Sequence, residues 1–87
     1  MQIFNKTQCI IVHTSQERHE VLQELHNQGF TTALDAYNRS NERGAPYFIH
    51  IYSQDNSVGV LGFSVENAVN TTLEELCEYV QETGVRP

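Results

Sequence analysis

The sequence predicts an α+β fold, with a small, mostly antiparallel sheet of about four strands and two helices packed on one face of it. Three observations predict this fold. The stretch Ala45–Val65 reads as two β-rich runs joined by a polar turn, and an amphipathic, capped segment lies on each side of it. A further apolar, β-rich run lies near the start of the chain. The predicted order is strand, helix, strand, strand, strand, helix, and 87 residues make a single domain, 1–87.

The first strand is predicted within Ile3–His13, around the run Cys-Ile-Ile-Val-His, because β-branched side chains favour a buried strand. A helix is predicted to follow over Gln16–Gln28. Thr14 and Glu17 form a capping-box pattern at its start, with Ser15 as the alternative N-cap. The apolar stripe of this helix consists of Val21, Leu22 and Leu25. The polar residues predicted to face solvent are Glu17, Arg18, Glu20, Gln23, Glu24 and Asn27.

The segment after this helix is predicted to contain a strand and then a loop. Phe30–Tyr37 alternates loosely between apolar and polar residues, which favours a strand, although its two alanines also tolerate a helix. Asn38–Pro46 is polar and contains glycine and proline, which is typical of a loop. Because binding residues are concentrated on loops, we expect function to reside in this one.

The clearest strand is Tyr47–Ser53, where apolar and aromatic side chains occupy both faces. Gln54–Ser57 is predicted to form a tight turn, since its Asp-Asn pair tolerates left-handed backbone conformations. Val58–Val65 then returns antiparallel. Gly59 and Gly62 interrupt this return strand, and glycine at such positions permits a bulge or the close approach of a ligand or another backbone.

A second helix is predicted over Leu73–Thr83. Its start carries two overlapping capping boxes, Thr71 with Glu74 and Thr72 with Glu75. Its apolar stripe consists of Leu73, Leu76, Cys77 and Val80. The two helical stripes can cover only one face of the sheet.

Composition excludes several classes of function. Eleven Asp and Glu against five Lys and Arg give a formal charge of −6, which disfavours duplex nucleic acid and favours a basic partner. No apolar run approaches the roughly 18 residues of a membrane span and the start lacks a signal-peptide core, so we expect a cytoplasmic protein without membrane contact. Cys9 and Cys77 do not form a metal-binding spacing, and we expect no metal and no cofactor.

The sheet face without helices is the first candidate site. Either Phe48, His50 and Tyr52 or Tyr47, Ile49 and Ile51 are left for solvent, a second subunit or a ligand. Exposed apolar patches of that size usually mark an interface, so we expect a homo-oligomer there. The predicted interface residues are Phe48, Tyr52 and Phe63. No catalytic residue is predicted. An enzyme based on Cys9 and His50 remains a hypothesis, although a thiol in an apolar run stays protonated and inert.

A second candidate site would bind a small mononucleotide or a cyclic nucleotide. Arg39 and Arg43 lie in one loop beside Tyr37, so two cations could hold a phosphate while an aromatic ring stacks on the base. His50, between two aromatic residues of its strand face, completes the predicted contacts. The alternatives are a solvated loop whose arginines pair with Glu42 or Asp35, and a hydrogen-bonded sheet histidine.

The chain resembles the small early or accessory proteins of bacteriophages. The resemblance covers roughly residues 10–63: the run Cys-Ile-Ile-Val-His-Thr-Ser-Gln-Glu-Arg, a capped helix ending in Asn-Gln-Gly-Phe, the strand Tyr-Phe-Ile-His-Ile-Tyr, and a return strand. It lies in the architecture and not in a motif, so it assigns no site residues. It implies a non-enzymatic protein that binds and inhibits a host protein, or one that sequesters a nucleotide signal of antiviral defence.

Overall fold

The computed structural model describes residues 3–30 and 44–84, and it confirms the predicted α+β class and element order. The elements are β1 (Gln8–Val12), α1 (Ser15–Asn27), β2 (Tyr47–Ile51), β3 (Val58–Leu61), β4 (Val69–Thr71) and α2 (Leu73–Thr83). The four strands form one sheet in the order β3-β2-β1-β4. Among the described residues, no helix is long and apolar enough to cross a membrane.

The sheet is mixed. β1 pairs antiparallel with β2, where Ile10 lies opposite Ile49, and β2 pairs antiparallel with β3, where Ile49 lies opposite Val60. β4 pairs parallel with β1 on the other side, with Thr71 beside Ile10. Because side chains alternate between faces along a strand, this register puts the four residues on the same face of the sheet.

Both helices begin at the residues that their capping patterns predict. The Thr14 hydroxyl accepts a hydrogen bond from the Glu17 backbone N–H at 3.0 Å, and Thr72 accepts one from the Glu75 N–H at 3.1 Å. Of the two overlapping boxes, Thr72 with Glu75 is therefore the one formed. α2 ends at Gly84, which has the left-handed conformation (φ +67°) that favours glycine at a helix end.

The core lies between one sheet face and the two helices. Leu25 of α1, Ile49 and Ile51 of β2 and Val80 of α2 are fully buried there. Burial of such side chains stabilises the fold by roughly 1.5–3 kcal/mol each. The other buried apolar residues of this core are Ile3, Phe4, Ile10, Val12, Val21, Leu22, Phe30, Tyr47, Val58 and Leu76.

The predicted and observed strands differ in extent. β1 starts at Gln8 and not near Ile3, because Ile3 and Phe4 instead pack against α2, with the Phe4 and Tyr79 rings 5.2 Å apart. β3 ends at Leu61, since the chain then turns back over the sheet.

The fourth strand of the sheet is β4, Val69–Thr71, where the sequence predicts no strand. Of the predicted strand Phe30–Tyr37, only Phe30 is described: it is buried, and its N–H bonds to the Leu25 carbonyl at the end of α1. Residues 31–37 of that prediction lie outside the described residues. The Gln54–Ser57 turn is confirmed, with Asn56 at φ +60° and the Asp55 carboxylate accepting from the Ser57 N–H at 3.0 Å.

Candidate functional site

The sheet face opposite the helices carries two rows of side chains that cross β1, β2 and β3. The strand register aligns Cys9, His50 and Gly59 in an inner row. It aligns Ile11, Phe48 and Leu61 in an outer row. We call this surface the second face.

The inner row of the second face is closed. Cys9 and His50 have no exposed surface, and the segment after β3 reaches both of them, through Ser64 at Cys9 and Val65 at His50. His50 Nε2 accepts a hydrogen bond from the Val65 backbone N–H at 3.1 Å, which ties this segment to the sheet. Since Nε2 is the acceptor, the neutral ring carries its proton on Nδ1.

Burial keeps both inner-row groups uncharged. It lowers the pKa of His50 below 6.5, while the Phe48 backbone acts weakly in the opposite direction, and Nδ1 has no acceptor within hydrogen-bond geometry. Burial also raises the pKa of Cys9, and a hydrogen bond with the Ser64 side chain lowers it by less. A cysteine nucleophile needs a thiolate and a base with a free lone pair, and this pair offers neither in the folded protein.

Tyr52 covers the remaining member of the inner row. Its ring stacks on His50 at 5.9 Å between centroids. A Cβ at Gly59 would lie 2.8 Å from Tyr52 Cε2, so only glycine leaves room for the ring. The close approach predicted at Gly59 is therefore made by a side chain of the same chain.

The outer row of the second face is open. Ile11 is 39% exposed and Phe48 and Leu61 are half-buried. Phe63, just beyond β3, is 59% exposed. No residue of the four strands is Asp, Glu, Lys or Arg. We call this row together with Phe63, two residues beyond the end of β3, the apolar patch; its side chains are apolar and partly exposed, on a protein with a formal charge of −6.

The predicted site residues are only partly brought together. Phe48 and Phe63 lie at the apolar patch, whereas Tyr52 lies over the inner row. Tyr37, Arg39 and Arg43, three of the predicted nucleotide contacts, lie outside the described residues. The fourth contact, His50, is fully buried and offers no surface to a ligand in this structure. The nucleotide hypothesis stays a prediction.

A groove lies at the β4 edge of the sheet, away from the apolar patch. It has a volume of about 540 Å³ and lies between the N-terminal segment, β4 and α2. Val69 and Tyr79, 41% and 42% exposed, line it together with Phe4 and Lys6. The sequence gives no signal for this groove because it depends on β4, a strand too short to show alternation.

Arg18 is buried, although its position among polar helix residues predicts a solvated side chain. It is 2% exposed, and its guanidinium carbon lies 4.8 Å from the centre of the Tyr47 ring. The signal that could have shown this is spacing: position 18 precedes the apolar positions 21, 22 and 25 by the three, four and seven residues of one helical face.

Within residues 3–30 and 44–84, no group of three or more His, Cys, Asp or Glu side chains is placed to hold a metal ion. No protein-family model matches the sequence, and neither a curated protein nor a solved structure matches it. The candidate site therefore depends on the geometry of this chain alone.

Proposed function

We propose that this protein is a non-enzymatic binding protein that acts by covering a surface of another protein with its apolar patch. The observation that carries the proposal is the partly exposed row of Ile11, Phe48 and Leu61, together with the 59% exposed Phe63 two residues after Leu61. Contiguous apolar surface of this kind mostly marks an interaction site in soluble proteins. We expect Phe63 to contribute most to the binding free energy, since aromatic side chains bury a large area at little entropic cost.

The charge distribution supports the same function. The chain carries a formal charge of −6, and none of it lies on the strands. A partner can therefore cover the strand residues of the apolar patch without burying a charge of these strands, and an unpaired buried charge would weaken binding strongly. The net acidic charge of the chain would speed association with a basic partner.

The resemblance to small bacteriophage proteins supports a host protein as the partner, met in the cytoplasm of the host cell. Self-association is the competing use of the apolar patch, and light scattering on the purified chain measures it. An enzymatic function is not supported by the second face, because its thiol and imidazole are both buried and neutral.

The test uses serine variants of exposed apolar residues. The tagged chain is expressed in bacterial cells, a bound protein is identified and purified, and its Kd is measured by calorimetry. We expect Phe63→Ser and Ile11→Ser to weaken binding at least about tenfold, or 1.4 kcal/mol, with little change in stability. Val69→Ser is the matched control, since Val69 is equally exposed but lies at the β4 groove. Weaker binding for Val69→Ser alone would assign binding to the groove and overturn the proposal.

A further inference from the structure

Arg18 is a cation in the interior of the protein. It lies in the second turn of α1 and faces the same way as the buried Val21, Leu22 and Leu25. An arginine side chain keeps its positive charge in proteins, so its burial removes a full charge from water. Buried charges are normally paired with an opposite charge and satisfied by hydrogen bonds.

Two of the three guanidinium nitrogens of Arg18 have no such partner among the described residues. Its Nε and Nη1 are both buried, and neither has a hydrogen-bond acceptor. The Tyr47 ring attracts the cation, whose Cζ lies 4.8 Å from the ring centroid. This contact supplies no oxygen or nitrogen acceptor, so the described part of the chain leaves the Nε and Nη1 donors unsatisfied.

The surroundings of Arg18 favour a negative charge. Tyr47 lies opposite Val12, the last residue of β1, so the ring and the guanidinium lie near the point where α1 begins. The start of a helix is its positive end and stabilises anions. The positive charge of Arg18 and the positive end of the helix therefore both favour the binding of an anion.

We propose that Arg18 is the anchor of a binding site for a small oxyanion, namely a phosphate or carboxylate group of a ligand. Such groups accept several hydrogen bonds from one guanidinium, and these charge-assisted bonds are about twice as strong as neutral ones. The Tyr47 ring contributes a cation–π contact, so Nε and Nη1 keep their N–H donors for the anion. The site is separate from the apolar patch and goes beyond the proposed protein-binding function.

The test measures the melting temperature of the full chain with added oxyanion. Inorganic phosphate, adenosine monophosphate and succinate are compared with sodium chloride at equal ionic strength. A ligand added at a concentration of roughly five times its Kd should raise the melting temperature by about 4–8 °C. We expect this rise in the wild type at 150 mM salt, since a buried pair is screened only weakly. A larger rise with inorganic phosphate or adenosine monophosphate indicates a phosphate ligand, and a larger rise with succinate indicates a carboxylate ligand.

Three variants make the result specific. Arg18→Met keeps the length of the side chain and removes its charge, so the rise should disappear. Lys6→Met removes an exposed cation elsewhere and should leave the rise unchanged. If Arg18→Met does not fold, phosphate is titrated into the wild-type protein and followed by NMR. The Nε–H signal of Arg18 is assigned as the one that Arg18→Lys removes, and this signal should shift when phosphate binds.

Two results would overturn the proposal. One is the absence of any rise with all three ligands, or an equal rise in the wild type and Arg18→Met. The other is an internal partner: if Asp35→Asn or Glu42→Gln changes stability as Arg18→Met does, and the double variant is not additive, Arg18 pairs with a carboxylate of its own chain.

Discussion

His50 and Val65 are joined by a hydrogen bond in which the Val65 backbone N–H donates to His50 Nε2 at 3.1 Å. This bond connects the centre of β2 to the segment that closes the inner row of the second face. The bond exists only while the imidazole is neutral, since protonation of Nε2 would place two donors against each other. The closure of the inner row is therefore linked to pH.

We predict that the protein loses stability as the pH falls below about 6.5. Burial lowers the pKa of His50 from 6.5, so the unfolded chain takes up this proton before the folded one. The free energy of unfolding then falls with pH, by up to about 1.4 kcal/mol per unit, until the folded-state pKa is passed. Urea unfolding at pH 7.5, 6.5 and 5.5 measures the slope.

The control for this prediction is a pair of histidine variants. His50→Gln retains an acceptor in place of Nε2 and should flatten the slope between pH 6.5 and 5.5. His19→Gln changes an exposed histidine and should leave that slope as it is. Equal slopes for wild type and His50→Gln would show that His50 does not control the acid response.

We predict that Gly59→Ala destabilises the protein by about 1–3 kcal/mol, the usual cost of overpacking. The added methyl would lie 2.8 Å from Tyr52 Cε2 and 2.9 Å from the hydroxyl, and would push the ring off His50. Urea unfolding measures the change. Gly44→Ala, with no atom within 4 Å of the new methyl, should change stability by no more than about 0.5 kcal/mol.

The same substitution in a Tyr52→Ala background separates sterics from backbone effects. Without the ring, most of the cost of Gly59→Ala should disappear, because the two residues are in contact and their effects are coupled. If the full cost persists in that background, the contact between Tyr52 and Gly59 is not its cause.

We predict that Cys9 is inert to thiol reagents in the folded protein. It is fully buried, and burial raises its pKa, so little reactive thiolate is present near neutral pH. Cys77, also free but partly exposed, should react first with a chromogenic disulfide at pH 7. The labelling rates of Cys9→Ser and Cys77→Ser under native and denaturing conditions show which cysteine reacts at which rate. Rapid labelling of Cys9 in the folded protein would contradict this prediction and support the nucleophile hypothesis.

The helices could be predicted from sequence because their signals are local. Thr14 and Thr72 cap α1 and α2 as their spacing to Glu17 and Glu75 indicates. β4 could not be predicted in this way. Its three residues contain no apolar alternation, and the strand exists because the free edge of β1 provides partners for its backbone, a long-range effect.

The candidate site was predictable only in part. Phe48 and Phe63 are predicted as interface residues because they are aromatic residues of the predicted strands, but the sequence leaves open which sheet face the helices cover. The closure of the inner row was not predictable, because it depends on the Val65 N–H reaching His50 across 15 positions of the chain. The burial of Arg18 could not be predicted with the same ease, because charged residues in helices are mostly exposed even where their spacing places them next to an apolar stripe.

The central claim, that the apolar patch contacts another protein, is tested most directly by photo-crosslinking in cells. A photoreactive phenylalanine analogue replaces Phe63 in one form of the chain and Val69, at the groove, in the other. We predict a discrete adduct with a different protein from position 63 and none from position 69. Adducts from position 69 alone, or adducts only between copies of this chain, would contradict the claim.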